Sequence, residues 1–330
     1  MEIEIQTYNW NEVDINETAQ LIFTARLACP FWRPDRSLDW FRRFVHQRIK
    51  RFSPSFVILA RAGGTLVGMT GIITADPTLY DLWRWHPVVL PGENENEIAA
   101  ALIKASINQM KAAGAQRLKV CFDFSRDEMT PETEAYYHKY NSWYARYGAV
   151  KLDEFVYMTC RAADFKPLSR NFLKAGFEIS AFSIPDKDAI YDCFYQAFLK
   201  GKDRSFLVKT KEQRRKMFDG YFDDPENLNE AASLVLTKDH QVIGFSIFKT
   251  RPYVGDEHLA LICIHPDHQG KRLGKQLLSL SMSKIAQQGN KLMSLGVDLD
   301  NVAAYHLYRK LGFETQTKII THVWKDENIA

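Results

Sequence analysis

The sequence predicts an α+β fold in which one unit of strands and helices occurs twice in tandem. The chain has 330 residues, which is enough for two hydrophobic cores. Each half carries a strand–turn–strand pattern that is followed by an amphipathic helix and a further strand. Over a helix and the strand after it the halves align in register, which places Leu273 on Ile98 and Gly289 on Gly114, and an insertion in the first copy shifts the alignment near its end, where Tyr308 falls on Tyr144. These matches in register predict an internal duplication.

The two copies are predicted at residues 1–160 and 177–330. Between them, residues 161–176 show no clean alternation and are predicted to be a linker. The hairpin of the first copy turns at a Gly-Gly pair, and Pro185 is expected to open a helix in the second copy. The expected strands are 56–60, 66–69, 117–123, 177–184, 233–237, 242–245, 261–264 and 292–298.

The composition is that of a globular protein with little net charge. Charged residues make up 25% of the chain and the formal net charge is +3, too small an excess for a general nucleic-acid-binding protein. The five cysteines are scattered without metal-ligand spacing, so we expect no metal site. The sequence shows neither a secretory leader nor an apolar run of about 18 residues, so we expect no membrane contact and a cytoplasmic location.

The most informative segment runs from Ile264 to Lys275, where a strand passes through a basic turn into a helix. The first turn of a helix has unpaired N–H groups and the positive end of the helix dipole. Gly270 and Gly274 let the backbone approach an anion closely, and three basic side chains surround the turn. This segment therefore predicts a pyrophosphate-binding site.

A second motif begins at Asn301 and ends at Phe313. Asn301 is a favourable helix N-cap, Tyr308 follows at helical spacing, and Gly312 is placed as the helix stop. Two simpler interpretations stay open, since Asn301 could act as a cap alone and Tyr308 could be an ordinary packed helix tyrosine.

Together the two segments resemble the acetyl-CoA-binding motifs of the GCN5-related N-acetyltransferase (GNAT) superfamily. The family pattern Gln/Arg-x-x-Gly-x-Gly/Ala matches residues 269–274 except at Arg272, where the family has glycine. The pattern Asn-x-x-Ala-x-x-x-Tyr-x-x-x-Gly-Phe matches residues 301–313 without exception. The resemblance implies that each copy has a mixed, mostly antiparallel and splayed sheet flanked by helices.

The resemblance also implies how the second copy binds acetyl-CoA. Backbone amides of the turn would bind the pyrophosphate, and the strand before the turn would pair with the pantetheine arm. The thioester would lie in the gap between residues 261–264 and 293–297. The residues implied in acetyl-CoA binding are Cys263, Ile264, Gln269, Gly270, Lys271, Arg272, Leu273, Gly274, Lys275, Asn301 and Tyr308.

Direct acetyl transfer requires a proton acceptor for the amine and a proton donor for the leaving thiolate. The resemblance implies Tyr308 as the donor. Family members often place a carboxylate on the strand before the turn, and here Glu257 and His258 open that strand. Alternation places the two on opposite faces, with His258 on the face of Ile262 and Ile264. Glu257 is slightly preferred as the chemically closer analogue, and solvated rim positions are the default expectation for both.

The first copy lacks these binding features. Opposite residues 269–274 it has residues 94–99, with Glu95 and Glu97 in place of a glycine and a basic residue. Carboxylates there would repel a pyrophosphate, although they suit the first turn of a helix. We therefore predict a degenerate copy that does not bind acetyl-CoA. Tyr144 is retained at the position of Tyr308, which indicates that this tyrosine also has structural value.

The function implied is an acetyl-CoA-dependent N-acetyltransferase that acts on an amine of a small molecule or peptide. The alternatives are a non-catalytic acyl-CoA sensor or scaffold, an acyltransferase for a longer acyl-CoA, and a protein- or nucleic-acid-binding module. The aromatic residues of 191–224 either line an acceptor pocket or fill the core, and the core is preferred. The expected partners are acetyl-CoA and an unidentified amine, without nucleic acid or membrane, and the chain is expected to be a monomer or homodimer.

Overall fold

The computed structural model describes most of the chain, and its residues fall into two compact units. The first unit is Met1–Glu154 with Thr317–Ala330, and the second is Phe155–Gln316. The described residues are 2–30, 37–51, 56–76, 79–82, 87–125, 130–168, 176–201, 203–207, 209–252, 254–289 and 291–325.

Strands and helices alternate in blocks along the chain. The order begins with β1 (Ile3–Tyr8), α1 (Ile15–Leu27), α2 (Leu38–Arg51), β2 (Phe56–Ala62), β3 (Thr65–Asp76), β4 (Leu79–Asp81), β5 (Val88–Val89), α3 (Glu95–Ala112), β6 (Arg117–Ser125) and α4 (Pro131–Ala145). It continues with β7 (Val150–Arg161), β8 (Phe177–Ala181), α5 (Tyr191–Leu199), α6 (Arg204–Leu207), α7 (Lys211–Gly220), β9 (Leu234–Lys238), β10 (Gln241–Arg251), β11 (Asp256–Ile264), α8 (Leu273–Gln287), β12 (Leu292–Asp298), α9 (Val302–Lys310) and β13 (Glu314–Lys325).

In the first unit the strands are ordered β1-β2-β3-β4-β6-β13, and β5 pairs with β3. Neighbouring strands are antiparallel except β4 and β6, which are parallel. Apolar residues at helical spacing give α3 one apolar stripe, which packs on this sheet. Leu102, Ile103 and Met110 of that stripe are each 0% exposed.

In the second unit the strands are ordered β7-β12-β11-β10-β9-β8. All neighbours are antiparallel except β11 and β12, whose parallel pairing covers 256–259 and 292–295. Past this point β11 continues along β10 to Ile264, while β12 continues along β7 to Asp298. The two strands therefore diverge, and the predicted fold of mixed, mostly antiparallel, splayed sheets with flanking helices is confirmed.

A β-bulge interrupts β11 near the point where the strands diverge. Phe248 of β10 lies opposite Leu259, and the next residue along, Ile247, lies opposite Leu261. Ala260 is therefore an extra residue on β11. Such an insertion bends the strand and shifts the alternation of its side chains.

Because of the bulge, the side chains of β11 do not lie on the faces that strict alternation predicts. Leu259 and Ile262 both pack on the α8 side, whereas Leu261 and Cys263 pack among the aromatic residues of the opposite side. His258 precedes the bulge and alternates with Leu259, so it lies on the aromatic side. The prediction that His258 shares a face with Ile262 and Ile264 is wrong, because strict alternation does not count the extra residue.

The compact units do not coincide with the predicted boundaries of 1–160, 161–176 and 177–330. The second unit includes Phe155–Arg161, which pairs with β12 and buries Val156 and Met158 at 0% exposure. The first unit includes Thr317–Lys325, which pairs with β6. Each unit is thus completed by a strand that the sequence places in the other copy.

The predicted linker is described over 162–168, and residues 169–175 lie outside the described part. Ala162 and Phe165 are 5% and 7% exposed and belong to the core of the second unit. The N–H of Leu168 donates to Oγ of Ser279 at 3.1 Å. The described part of this segment is therefore packed structure rather than a free connection.

The aromatic residues between α5 and β9 fill a core, which is the interpretation that the sequence favours. Phe194, Phe206 and Phe218 are each 0% exposed, and the ring of Phe194 contacts both of the others. Pro185 opens the 3₁₀ helix Ile184–Ile190, and the α-helix begins only at Tyr191. No helix in the described part of the chain combines the length and the apolar character needed to cross a bilayer.

Candidate active site

The segment between β11 and α8 is a tight turn with an unusual backbone. Pro266–His268 form a 3₁₀ turn that His265 caps, since its Nδ1 accepts from the N–H of Asp267 at 3.4 Å. Gly270 has a φ of 75° and Arg272 a φ of 61°, both in the left-handed region. Glycine adopts this region at low cost, which is the physical reason for a glycine preference at the place of Arg272.

This left-handed turn leaves a run of backbone N–H groups without acceptors. Before it, the N–H of Gln269 donates to the carbonyl of Pro266 at 3.3 Å, and after it the N–H of Gln276 donates to the carbonyl of Arg272 at 3.2 Å. In between, no described residue accepts a hydrogen bond from the N–H groups of 270–275. These groups lie at the positive end of α8 and can bind an anion.

Basic side chains surround the turn, and one polar side chain braces it. Lys271 and Arg272 are exposed, and Lys275 is half-buried. The Nζ of Lys271 donates to a backbone carbonyl within the turn at 2.9 Å. The Nε2 of Gln269 donates to the carbonyl of Ile264 at 2.9 Å. Gln269 therefore fixes the turn to the end of β11.

The start of α8 fits closely against the end of β11. Leu273 and Leu277 are 3% and 0% exposed and anchor the helix in the core. A Cβ atom on Gly274 would lie 3.4 Å from Cγ1 of Ile264, which is an ordinary van der Waals contact. The turn is thus held in place from the protein side, while its unpaired N–H groups remain available.

The diverging ends of β11 and β12 form a gap beside the turn. Beyond Leu259, β11 pairs with β10 along one edge, and its pairing with β12 has ended. Cys263 is 4% exposed and Ile264 is half-buried on this part of the strand. A strand edge of this kind can take up an extended chain as an additional strand.

Helix α9 brings a tyrosine toward the same region. The side chain of Asn301 accepts from the N–H of Ala304 at 3.2 Å, so the predicted N-cap is formed. Tyr308 is 6% exposed and packs against Phe313 with ring centroids 6.1 Å apart. Burial, and next the nearby thiol of Cys263, raise the pKa of Tyr308 above its ordinary value. Tyr308 is thus packed in the core and is also close to Cys263 of β11.

Glu257 is buried in an ion-pair network. Its carboxylate accepts from Nζ of Lys291 at 2.5 Å, from Nδ2 of Asn229 at 2.8 Å and from Oγ1 of Thr250 at 3.0 Å. Asn229 also bonds Gln288, just beyond the C-terminal end of α8 and thus at the opposite end of that helix from the turn. At 1% exposure Glu257 is no solvated rim residue, and the structure does not bring it to the turn.

His258 is half-buried where β11 and β12 are still paired, close to their divergence. Its Nδ1 lies 2.9 Å from Oγ of Ser294, the residue directly opposite on β12. The ring stacks on Tyr157 with centroids 6.2 Å apart. Burial, and next the positive charge of Arg251, lower the pKa of His258 to about 3. Of the two predicted proton acceptors, His258 is the one nearer to the gap.

Sequence reasoning missed the residues that surround His258. Ser294 could have been found, because parallel pairing of the two strands places it opposite His258. Asp256 opens the strand in the sequence, but no pattern there assigns it a role. Tyr157 could not be found, because the sequence places it in the other copy. Among the described residues, no group of three or more His, Cys, Asp or Glu side chains is placed to hold a metal ion.

The corresponding turn of the first unit has a different structure. Helix α3 begins at Glu95, whose N–H donates to the carbonyl of Gly92 at 3.2 Å. The N–H groups of Glu97 and Ile98 donate to the carbonyl of Asn94 at 3.1 and 3.0 Å. Three of the N–H groups at this helix start are therefore already paired.

Comparison with known proteins agrees with this architecture. The family model described as Acetyltransferase (GNAT) family matches residues 188–313. A GCN5-related N-acetyltransferase from Sphaerobacter thermophilus superposes with a TM-score of 0.70 at 15% identity, covering 98% of this chain and 95% of that one. A tandem GNAT protein from the clavulanic acid biosynthesis pathway gives 0.62 at 15% identity, covering 98% of both chains. Residues 188–313 thus match the GNAT family, and the fold of the chain is that of the GNAT proteins.

Curated relatives match over shorter segments. The L-amino acid N-acyltransferase MnaT of Escherichia coli K12 is 36% identical over 83 residues, which are 24% of this chain and 48% of the relative. A mycothiol acetyltransferase of Kocuria rhizophila is 30% identical over 127 residues, which are 36% of this chain and 42% of the relative. The chain therefore spans about half or less of the length of these relatives.

Proposed function

We propose that the second unit is an N-acyltransferase that uses acetyl-CoA and transfers its acetyl group directly to an amine. The observation that carries this proposal is the run of unpaired N–H groups at 270–275, beside the diverging ends of β11 and β12. A pyrophosphate matches these N–H groups, and an extended pantetheine arm matches the free edge of β11.

The side chains around the turn would complete the binding of acetyl-CoA. Lys271, Arg272 and Lys275 place positive charge near the pyrophosphate, and Gln269 keeps the turn in its binding shape. Cys263 and Ile264 would line the pantetheine arm. Asn301 starts α9 and so sets the position of Tyr308.

The chemistry needs two proton transfers. A bond forms from the amine nitrogen to the acyl carbon, the carbon–sulfur bond of the thioester breaks, the nitrogen loses a proton and the sulfur gains one. We assign Tyr308 as the proton donor to sulfur and His258 as the proton acceptor for the amine. Glu257 is not assigned, because its carboxylate is already bound by Lys291 and two neutral donors.

The protonation states support these roles. Burial raises the pKa of Tyr308 above its ordinary value near 10, so the hydroxyl keeps its proton at neutral pH. Burial lowers the pKa of His258 to about 3, so the ring is neutral and can accept a hydrogen bond. A base this weak does not deprotonate a free ammonium ion. We therefore expect the amine to bind neutral and to lose its proton as the new bond forms.

The first unit is proposed to be a structural copy without acetyl-CoA. Its helix start has paired N–H groups, and Glu95 is bound to Lys139 at 2.6 Å. A further negative charge at this position would be repelled by Glu95 and Glu97. We therefore expect one acetyl-CoA site per chain.

The acceptor is proposed to be an amine of a small molecule or peptide. The name of the E. coli relative, an L-amino acid N-acyltransferase, supports L-amino acids as the first class to screen. A second candidate function is a non-catalytic acyl-CoA sensor or scaffold. One observation favours it, since the carboxylate of Glu257 is paired with Lys291 and is not free to act as a base.

Calorimetric titration of acetyl-CoA into the full-length protein tests the binding step. We expect one site per chain. Release of CoA thiol, followed with a panel of amines, then separates the two candidates, because the enzyme turns over with some amine and the sensor with none. Absence of acetyl-CoA binding would contradict both, and two sites per chain would contradict the structural role of the first unit.

A further inference from the structure

A chain of polar side chains extends from His258 away from the gap. Nδ1 of His258 lies 2.9 Å from Oγ of Ser294, and the same oxygen accepts from Nη2 of Arg251 at 2.9 Å. Ser294 is 0% exposed. Its hydroxyl is therefore shielded from water and has its partners within this group.

Asp256 is the anionic end of this chain. It is 2% exposed, accepts from Nε of Arg251 at 2.8 Å and accepts from the hydroxyl of Tyr157 at 2.7 Å. Burial by itself would raise the pKa of Asp256, but hydrogen bonds from Arg251, Ser294 and Tyr157 outweigh it and lower the pKa. Asp256 is thus an ionised group beside Ser294, and Ser294 is one of the residues that keep its pKa low.

We propose that Ser294 and Asp256 are positioning residues that hold His258 in the Nδ1–H tautomer, leaving Nε2 as the proton acceptor. The part of the proposal that concerns proton transfer rests on the proposed acyltransferase function. The part that concerns the tautomer does not.

The hydrogen-bond inventory supports this assignment. A serine hydroxyl has one proton to donate and two lone pairs to accept with. Arg251 can only donate to Ser294, so the Ser294 proton goes either to the anionic Asp256 or to neutral Nδ1 of His258. A carboxylate is the stronger acceptor, and with the proton on that side the second lone pair of Ser294 accepts from Nδ1–H of His258. In a neutral imidazole with Nδ1 protonated, Nε2 is an acceptor.

The proton balance of the proposed step is simple. Nε2 takes the proton that the amine nitrogen loses as the new bond forms, and the ring becomes imidazolium. Its Nδ1–H stays bonded to Ser294, and the negative charge of Asp256 offsets part of the repulsion from Arg251 and Lys249. The charged groups facing His258 are Arg251 and Lys249 from β10 and Asp256 from its own strand, with Tyr157 stacked from β7. The proton then passes to solvent.

The tautomer can be measured directly on the full-length protein. Two-bond ¹H–¹⁵N correlation spectra distinguish a protonated Nδ1 from a protonated Nε2, and the His258 signals are identified by their loss in His258→Gln. We expect protonated Nδ1 in the wild type at neutral pH. Protonated Nε2 would overturn the proposal without any reference to activity.

The variant Ser294→Ala tests the positioning role. We expect its His258 to lose the Nδ1–H preference, and we expect kcat to fall by about 10- to 100-fold while KM for acetyl-CoA stays unchanged. The matched control is Ser246→Ala, which removes another fully buried serine that bonds Ser281 at 2.7 Å. The control should keep both the tautomer and kcat.

The outcomes separate this inference from the proposed function. If the wild type turns over and Ser294→Ala keeps both kcat and the Nδ1–H tautomer, the positioning role is wrong. If both serine variants lose kcat equally, the loss reflects general destabilisation, and the positioning role is again contradicted. If the wild type shows no turnover with any amine, the proposed function fails, and the tautomer spectra still decide the inference.

Discussion

The helix starts at Glu95 and Leu273 occupy equivalent places in the two units and differ in one physical respect. Before Leu273, left-handed residues at Gly270 and Arg272 turn the chain so that successive N–H groups find no acceptor. Before Glu95, the chain enters the helix earlier and pairs its N–H groups with nearby carbonyls. An anion site at a helix start therefore depends on the path of the preceding backbone as well as on the helix dipole.

At the start of α3 the first unit has side-chain contacts in place of the glycine and basic residues of the second unit. Glu95 pairs with Lys139 at 2.6 Å, and Nε1 of Trp143 donates to Oδ1 of Asn96 at 2.7 Å. These contacts tie the start of α3 to α4. The units therefore differ in that the helix start of the second has unpaired N–H groups and that of the first has internal contacts.

The largest effect is expected from cutting the chain at the predicted domain boundary. A fragment of 177–330 lacks Val156, Met158 and Phe165, which are 0%, 0% and 7% exposed in the second unit. Each such side chain contributes about 1.5–3 kcal/mol of burial free energy, and a whole domain has about 5–15 kcal/mol. We expect 177–330 not to fold, and we expect 155–316 to show a cooperative melt by circular dichroism.

The outcome of this truncation decides whether the units can be compared as independent copies. A cooperative melt of 177–330 with intact acetyl-CoA binding would show that residues 155–176 are dispensable. The sequence halves, rather than the compact units, would then be the folding domains.

The sequence predicted the parts of this molecule that depend on local patterns. The turn at Gly270 and the cap at Asn301 follow from motifs in which each residue acts on its neighbours, and the splayed sheet is implied by the family that these motifs resemble. Strand exchange was not predictable, because Phe155–Arg161 and Thr317–Lys325 fit either sheet by alternation alone. The bulge at Ala260 was hidden for a similar reason, since one inserted residue changes no composition and reverses the face of every later side chain.

The choice between the two candidate proton acceptors could not be made from the sequence either. Chemical similarity favours Glu257 over His258 in the sequence, but that preference depends on partners that the sequence does not show. Lys291 lies just before β12, distant in sequence, and binds Glu257 at 2.5 Å. Contacts between distant segments, not the identity of the residue, determine which side chain is free to react.

A carboxylate placed in the turn of the second unit should give this unit the lack of acetyl-CoA binding that is expected of the first unit. We expect Gly274→Glu to weaken acetyl-CoA binding by at least about 100-fold in calorimetric titration, because it adds a negative charge beside the unpaired N–H groups. The matched control is Gly274→Ala, whose Cβ would meet Ile264 at 3.4 Å. The control should bind within a few-fold of the wild type, and equal losses in both variants would point to shape rather than charge.

Tyr308 and Tyr144 occupy equivalent positions in the two units, so variants of the two residues distinguish a catalytic role from a packing role. We expect Tyr308→Phe to lower kcat by about 100-fold with little change in acetyl-CoA affinity, because only the proton donor is removed. Tyr144→Phe removes the hydroxyl of the equivalent tyrosine, which is 2% exposed in the first unit. It keeps the buried ring and should leave kcat unchanged. Unchanged kcat in Tyr308→Phe would remove this tyrosine from the mechanism.

The smallest effect concerns the one departure from the family pattern. Arg272 has a left-handed φ of 61°, which costs a non-glycine residue about 1–2 kcal/mol, partly offset by the entropy of glycine in the unfolded chain. We expect Arg272→Gly to raise the free energy of unfolding by about 0.5–1 kcal/mol in denaturant titration. We also expect it to weaken acetyl-CoA binding several-fold, because one positive charge is lost.

His240→Gly is the matched control, since His240 has a φ of 62° in the exposed turn between β9 and β10. It should give a similar gain in stability without a change in affinity. A loss of affinity in the control would mean that stability rather than charge sets the binding, and the contrast between the two helix starts would need another cause.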